Sequence, residues 1–393
     1  MKIIGDSKLS KVLVFYFFIC GLWSKFPPNT IAATLYTIVS YTMHFTLSFC
    51  YTGFMVVGLL FISDVDQITL SICVTFTCVA YVAKIFNFYW HNVGMKNCFK
   101  SVNDFVLENE FESEFLRTRM EPLRKIALLY YIIPNVCGVT AYLKPLFAAK
   151  TELPFLGWYP LDWTNNSLHY WIAYVYQIIG ILIEINLNVT MELFPSYLMH
   201  MLSIQMEILG FRLQRISSSI CDSDVLIQDI AISRSEQQLV VQEMVELLKL
   251  HQHMDKLAES IEQNFTMAFF AQICLSGTVM CCIAYQLTYT SPIENIIQYC
   301  FFVSFLMGVV IQIFLPCYFG NEIMLTSAAL SNHVYSSSWH SFSLKYRKLV
   351  ITFMERLKRT RTLLVGKLFP LSLDTFTSIV YFAYRLYAVI GTT

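Results

Sequence analysis

Residues able to do chemistry are few in this chain, and most of them sit where charge is expensive. Glu184, Asn188 and Glu192 recur at four-residue steps inside the stretch Leu168 to Phe194, which places two carboxylates and an amide along one face of a helix. Near the chain's end Asp374, Ser378, Arg385, Val389 and Thr392 fall on one side of a wheel turning about 100° per residue. His251, His253 and Asp255 come nearest to a metal-ligand cluster, but two-residue spacing turns the imidazoles to different helix faces. No Gly-x-Ser-x-Gly, His-Glu-x-x-His, phosphate loop or dinucleotide fingerprint occurs, so neither catalysis nor a metal or other cofactor is expected. The chemistry left for the two polar stripes is hydrogen bonding, ion contact and hydration within apolar surroundings.

Those surroundings are a membrane. The 393 residues are 56% hydrophobic and 14% charged, which is not a soluble composition. Residues 31–62, 265–287 and 296–319 contain no Asp, Glu, Lys or Arg, and each exceeds the roughly 20 residues that cross a hydrocarbon core. Four further windows tolerate one or two charges: 68–90 with Lys84, 126–147 with Lys144, 168–194 with Glu184 and Glu192, and 371–390 with Asp374 and Arg385. Seven spans result. Val12 to Trp23, behind Lys8 and Lys11, is too short to cross and suits a signal-peptide core or an interfacial helix; the interfacial helix is preferred because Gly21-Leu22-Trp23-Ser24-Lys25 is a poor small-residue cleavage site. Lys84 lies near enough to a helix end to snorkel. The Glu184 stripe should face the bundle or a crevice rather than lipid, with structural hydrogen bonding preferred over an ion path.

Lys and Arg set the orientation. With the N-terminus inside, the cytoplasmic segments hold four basic residues before the first span, six in 91–125, five in 195–264 and eight in 321–370, while the outer loops 63–67 and 288–295 have none. The C-terminus is then extracellular, opposite to a G-protein-coupled receptor, and the Asp-Arg-Tyr and Asn-Pro-x-x-Tyr signatures of such receptors are missing. Residues 148–167 form the one long outer loop. It carries Asn165, the only one of three Asn-x-Ser/Thr sequons (Asn165, Asn188, Asn264) that this orientation exposes to glycosylation. Most of the 12 cysteines lie in membrane windows, where they behave as small hydrophobes.

The cytoplasmic connections read as helices. Val240, Met244, Leu247, His251, Met254, Ala258 and Ile261 alternate steps of four and three, a seam that packs against the chain's own helices or another subunit. Trp339, Tyr346, Leu349, Phe353 and Leu357 supply a second face in 321–365. The last span's polar stripe has two readings: packing on its own subunit, or lining a pore in which several copies enclose water.

The segment YSSSWHSFSLKYRKLVITFMERLKRTRTLLVGKLFPLSLDTF, residues 335–376, resembles the C-terminal signature of insect odorant receptors. The resemblance is carried by Tyr335 and Trp339, Arg347-Lys348, Gly366-Lys367, then Phe369-Pro370-Leu371-Ser372-Leu373, an acidic residue and Phe376. Asp374 stands where tuning receptors often have Glu, and Arg359-Thr360-Arg361 replaces a more usual Lys-Pro segment. The last span lacks the Thr-Tyr and Gln-Phe pattern of gustatory receptors.

This resemblance implies an all-α membrane protein of seven transmembrane helices, cytoplasmic at the N-terminus and extracellular at the C-terminus, with cytoplasmic helical anchor extensions. It implies an odorant-gated, non-selective cation channel subunit in a tetramer with an odorant co-receptor, in the plasma membrane of olfactory sensory neurons. The expected partners are that co-receptor, small volatile odorants, permeant cations and lipid, without nucleic acid. Residues 1–29 would be an interfacial segment, 30–320 a six-helix bundle with extensions at about 196–264, 321–370 an anchor helix and 371–393 the pore helix. Val389, Thr392, Thr393 and Arg385 would line the pore and gate, Thr393 replacing an apolar gate residue so that a partner supplies the seal. Thr75, Phe76, Val79, Cys137, Thr140, Tyr142, Tyr174, Gln177, Cys281 and Tyr285 would lie at the odorant pocket, and Trp339, Tyr346, Leu349 and Phe353 in the subunit anchor. A G-protein-coupled receptor, a gustatory receptor channel and a carrier are the alternatives.

Overall fold

The computed structural model describes residues 2–3, 8–27, 29–63, 65–146, 152–221, 234–293 and 295–390. Lys144, Lys150, Thr392 and Thr393 fall outside the described side chains. Among the described residues there are eleven α-helices and two short two-stranded ribbons. Six helical stretches among the described residues are long and apolar enough to cross a membrane: Ile31–Leu59, Gln67–Trp90, Glu110–Leu143, Ser167–Ile216, Gln237–Tyr289 and Ile296–Tyr335. The seventh expected span is the helix Leu373–Ile390, whose apolar sequence is broken by Asp374, Arg385 and three tyrosines.

In chain order, α1 is Lys8–Ile19, and the first span joins α2 (Ile31–His44) to α3 (Tyr51–Leu59) through a π-helical turn at Phe45–Cys50. The remaining helices are α4 (Val65–Trp90), α5 (Asn92–Asn103), α6 (Glu110–Leu146), α7 (Ser167–Cys221), α8 (Arg234–Tyr289), α9 (Ile296–Tyr335), α10 (Leu344–Leu357) and α11 (Leu373–Ile390). The 12 residues of α1 do not merely lie at an interface: Leu13 and Phe17 are fully buried, and the Phe17 ring meets Phe194 of α7 edge-on at 5.3 Å.

The core is organised on α7. Every residue from 189 to 206 is buried, polar ones included, so this half of the helix is surrounded by protein on all sides. Helices α1, α5, α6, α8 and α9 pack around it. Several of its buried polar groups find partners on neighbouring elements: Tyr197 donates to Asn103 Oδ1 at 2.7 Å and Gln205 donates to the Val102 carbonyl at 2.8 Å. The seam from Val240 to Ile261 is buried at all seven positions, against the chain's own helices.

Ion pairs join the basic segments at one end of the bundle. Arg212 forks onto Glu112, with Nε and Nη2 2.9 and 2.7 Å from its two oxygens, and Arg215 reaches Glu108 at 3.0 Å. Arg361 meets Glu262 at 3.3 Å, and Arg356 meets Asp255 at 3.5 Å. The opposite end carries residues 152–166 and is called the cap end below. Residues 321–370 are not one helix: α9 ends at Tyr335, a 3-10 turn follows at Trp339–Ser341, and α10 gives way to a β-ribbon pairing Leu364–Val365 with Phe369–Pro370.

That ribbon positions α11. Three residues, 366–368, connect the paired strands; Gly366 and Lys367 both have φ of 59°, the left-handed backbone that closes the turn, with Leu368 N donating to Val365 O at 3.0 Å. Gly366 N donates to Thr266 Oγ1 at 2.7 Å, docking the turn on α8. The Gly-Lys and Phe-Pro-Leu residues of the C-terminal signature therefore form the joint ahead of the last helix.

Candidate functional site

An apolar cavity of about 110 Å³ opens among α4, α6, α7 and α9. Val74, Thr77 and Cys78 of α4 line one wall, with Tyr130, Pro134, Cys137 and Gly138 of α6 on another. Helix α7 contributes Ile181, Glu184, Ile185, Asn188 and Val189, and α9 contributes Phe301, Ser304, Phe305, Gly308, Val309 and Gln312. Phe155 from the cap loop lines the same space, its ring 6.1 Å from that of Phe301.

Gln177 explains how a loop residue is held there. Its side chain is fully buried; Nε2 donates to the Phe155 carbonyl at 2.9 Å and to Tyr159 Oη at 2.8 Å, while Oε1 accepts from Phe155 N at 3.1 Å. One amide thus pairs with both backbone groups of Phe155, as a neighbouring strand would. Tyr170 adds a hydrogen bond to the Glu152 carbonyl at 3.1 Å, and Trp158 N donates to the Phe54 carbonyl at 3.0 Å. At the loop's exposed rim, Asn165 Nδ2 lies 3.2 and 3.1 Å from the two oxygens of Asp162.

Deeper in the bundle the polar stripe of α7 resolves into two parts. Lys84 forms an ion pair with Glu192 and donates to Asn188 Oδ1 at 2.8 Å; the lysine and glutamate side chains are 5% and 1% exposed. Lys84 therefore does not snorkel but is buried as the cation of a closed pair. Glu184, one turn nearer the cap, is left facing the cavity beside the Cys78 thiol.

The ten residues expected at an odorant pocket are dispersed. Cys137 lines the cavity, with Sγ 3.7 Å from the Phe301 carbonyl. Thr140 borders a smaller space with Phe155 and Phe302. Gln177 is the cap latch, and Tyr174 donates to the Tyr142 carbonyl at 2.8 Å, bracing α7 against α6. Thr75 is buried, Phe76 half-buried and Val79 exposed on α4, whose cavity face is Val74, Thr77 and Cys78. Cys281 is buried on α8, and the Tyr285 ring lies tilted against that of Tyr289 at 4.7 Å; α8 gives no residue to this cavity. Glu184 lines the cavity, so the signal that points to it was the intramembrane carboxylate itself.

Helix α11 is a second candidate site. It packs against α8 and α9 by one edge, with Ala383 buried and Phe376 and Ile379 half-buried, and Leu371 just ahead of it is buried too. Tyr387 Oη lies 2.9 Å from Thr288 Oγ1. Asp374, Ser378, Arg385 and Val389 are all exposed in the single subunit, Val389 by 63%. The Arg385 guanidinium lies 4.4 Å from the Tyr381 ring centroid, in cation–π geometry on the exposed side. Of the anchor residues, Tyr346 and Phe353 are buried within the subunit, Leu349 and Trp339 half-buried, and Trp339 belongs to the 3-10 turn rather than α10. His251 meets the Phe353 ring at 5.2 Å, whereas His253 turns away to Ser101 at 2.8 Å.

Fold and cavity define a multi-pass, seven-helix, all-α membrane protein enclosing a space of ligand size. A profile of the family described as 7tm Odorant receptor matches residues 64–384, and the chain belongs to that family. Odorant receptor 94a of Drosophila melanogaster is 25% identical over 353 residues, covering 89% of this chain and 87% of its own length. Odorant receptor Or1 of Anopheles gambiae is 22% identical, covering 94% of this chain and 92% of its own. The olfactory receptor OR5 from Machilis hrabei in complex with eugenol superposes with a TM-score of 0.82 at 18% identity, over 98% of each chain.

Proposed function

We propose that this chain is an odorant-gated, non-selective cation channel subunit that works in a heteromer with an odorant co-receptor in the plasma membrane of olfactory sensory neurons. The observation that carries this reading is α11: an apolar helix held by one edge, with Asp374, Ser378, Arg385 and Val389 exposed at steps of four, seven and four residues. A polar stripe directed away from its own subunit is stable in a membrane when other subunits close around it and water fills the centre. The cavity among α4, α6, α7 and α9 is the odorant site, and the eugenol held by the Machilis relative is a ligand of suitable kind for it. The extracellular end of α11 carries the gate, at Val389 with Thr392 and Thr393. The chain itself performs no catalysis in this role.

The test is electrical. Val389→Lys, co-expressed with the co-receptor, should shift the reversal potential away from cations and lower conductance, in cells whose G-protein signalling is blocked. Unchanged conductance and selectivity would remove Val389 from the pore. An epitope at the C-terminus should stain intact cells; staining only after permeabilisation would overturn the orientation and the channel with it.

A further inference from the structure

The cavity's hydrogen-bonding groups define the ligand it takes more narrowly than its apolar walls do. We propose that it selects small molecules bearing one hydroxyl on an apolar body, with the hydroxyl hydrogen on Glu184; this rests on the odorant-receptor reading above.

Volume limits the ligand first. About 110 Å³ compares with the roughly 150 Å³ of an engineered protein cavity that binds benzene, so one ring or a short chain fills it without backbone movement. Phe301, Phe305, Ile181 and Pro134 surround an apolar body. Two of the hydroxyls lining the space give their hydrogens to their own helix backbone: Thr77 Oγ1 donates to Val74 O at 2.7 Å, and Ser304 Oγ to Cys300 O at 2.7 Å. Asn188 commits its carbonyl to Lys84, so what it offers the cavity is amide hydrogens. Lys84 is in turn committed to Glu192 and Asn188.

Glu184 differs from all of these. It is 9% exposed, lines the cavity, and has the Cys78 thiol, a weak donor, beside it. A buried carboxylate with spare lone pairs and an amide donor one helical turn away fit a group that donates and accepts at once. A hydroxyl is the smallest such group. An aldehyde, ketone or ester brings only acceptors to the carboxylate, and a hydrocarbon strips its water without replacing a hydrogen bond.

The experiment uses the full chain with a co-receptor and compares benzyl alcohol with its shape-matched hydrocarbon ethylbenzene and the acceptor-only benzaldehyde. A second set is 1-hexanol, heptane and hexanal. The alcohols should act at concentrations lower by a factor on the order of ten or more. Glu184→Met should remove that preference at unchanged surface level, and Glu184→Gln, which both donates and accepts, should bring aldehyde and alcohol together. A wild-type receptor that prefers aldehyde or hydrocarbon, or an alcohol preference that survives Glu184→Met, overturns the proposal and leaves the receptor reading standing. Silence toward all six compounds, with the chain at the cell surface, overturns both.

Discussion

Lys84 and Glu192, 108 residues apart in the chain, close an ion pair inside the helical bundle, with Asn188 as the lysine's second acceptor. Neither charge could be carried alone at that depth, because the unpaired partner would keep its desolvation penalty. Lys84→Met should therefore destabilise the protein by about 3–5 kcal/mol, whereas Lys84→Met combined with Glu192→Leu should recover most of the loss. Thermal unfolding of the detergent-purified variants checks this; additive single effects would mean that the two residues act separately.

Gln177 holds the cap. Gln177→Leu keeps the side chain's size but leaves the N–H and C=O of Phe155 without partners, at about 1–3 kcal/mol each. The expected outcome is faster proteolysis within 152–166 and weaker odorant responses at normal surface expression. Protease sensitivity equal to wild type would show that the other cap contacts suffice.

The approach of α9 to the start of α11 depends on Gly320. A Cβ there would lie 2.5 Å from Leu371 Cβ and 2.7 Å from the Leu371 carbonyl oxygen, and the backbone atom cannot swing aside. Gly320→Ala should displace the ribbon and the start of α11, reducing evoked current more than it reduces surface expression. Lys367→Gly, by contrast, relieves a non-glycine residue with φ of 59° and should leave current unchanged or raise stability slightly.

Exposure along α11 gives a pattern for cysteine labelling. On the proposed channel reading, with the co-receptor co-expressed, Ser378→Cys, Arg385→Cys and Val389→Cys should react with a water-soluble thiol reagent and alter the current. Ala383→Cys, buried against the subunit, should not. Equal protection at all four positions would place the stripe in a subunit contact instead of water.

Helix α10 separates folding from assembly. Its inward face is Tyr346, Val350, Phe353 and Leu357, while Leu344 and Ile351 are exposed apolar residues among lysines and arginines. Phe353→Ala should cost about 3–5 kcal/mol of subunit stability. Ile351→Asp should leave the subunit folded and lower its co-purification with the co-receptor; undiminished co-purification would exclude this face from the interface.

Much of the architecture follows from order along the chain. Three charge-free windows locate spans, and the alternating four-and-three seam from Val240 to Ile261 reads as a buried face because polarity contrast marks its two sides. The Gly366-Lys367 pair is likewise local, since a turn with two positive φ angles restricts its own residues. In α4 that contrast fails: Thr75, Phe76 and Val79 differ little in polarity from Val74, Thr77 and Cys78, yet a rotation of about 100° per residue sends the two sets to different neighbours.

Sequence by itself determined a seven-helix membrane protein with carboxylates and a lysine set in apolar windows, because hydropathy and spacing are properties of adjacent residues; that the lysine is buried instead of snorkelling was not legible there. Tertiary structure alone decided which carboxylate received the lysine. Glu192 and Glu184 are two turns apart on one helix face, and only the packing of α4 on α7 put Lys84 against the first and left the second to face the cavity.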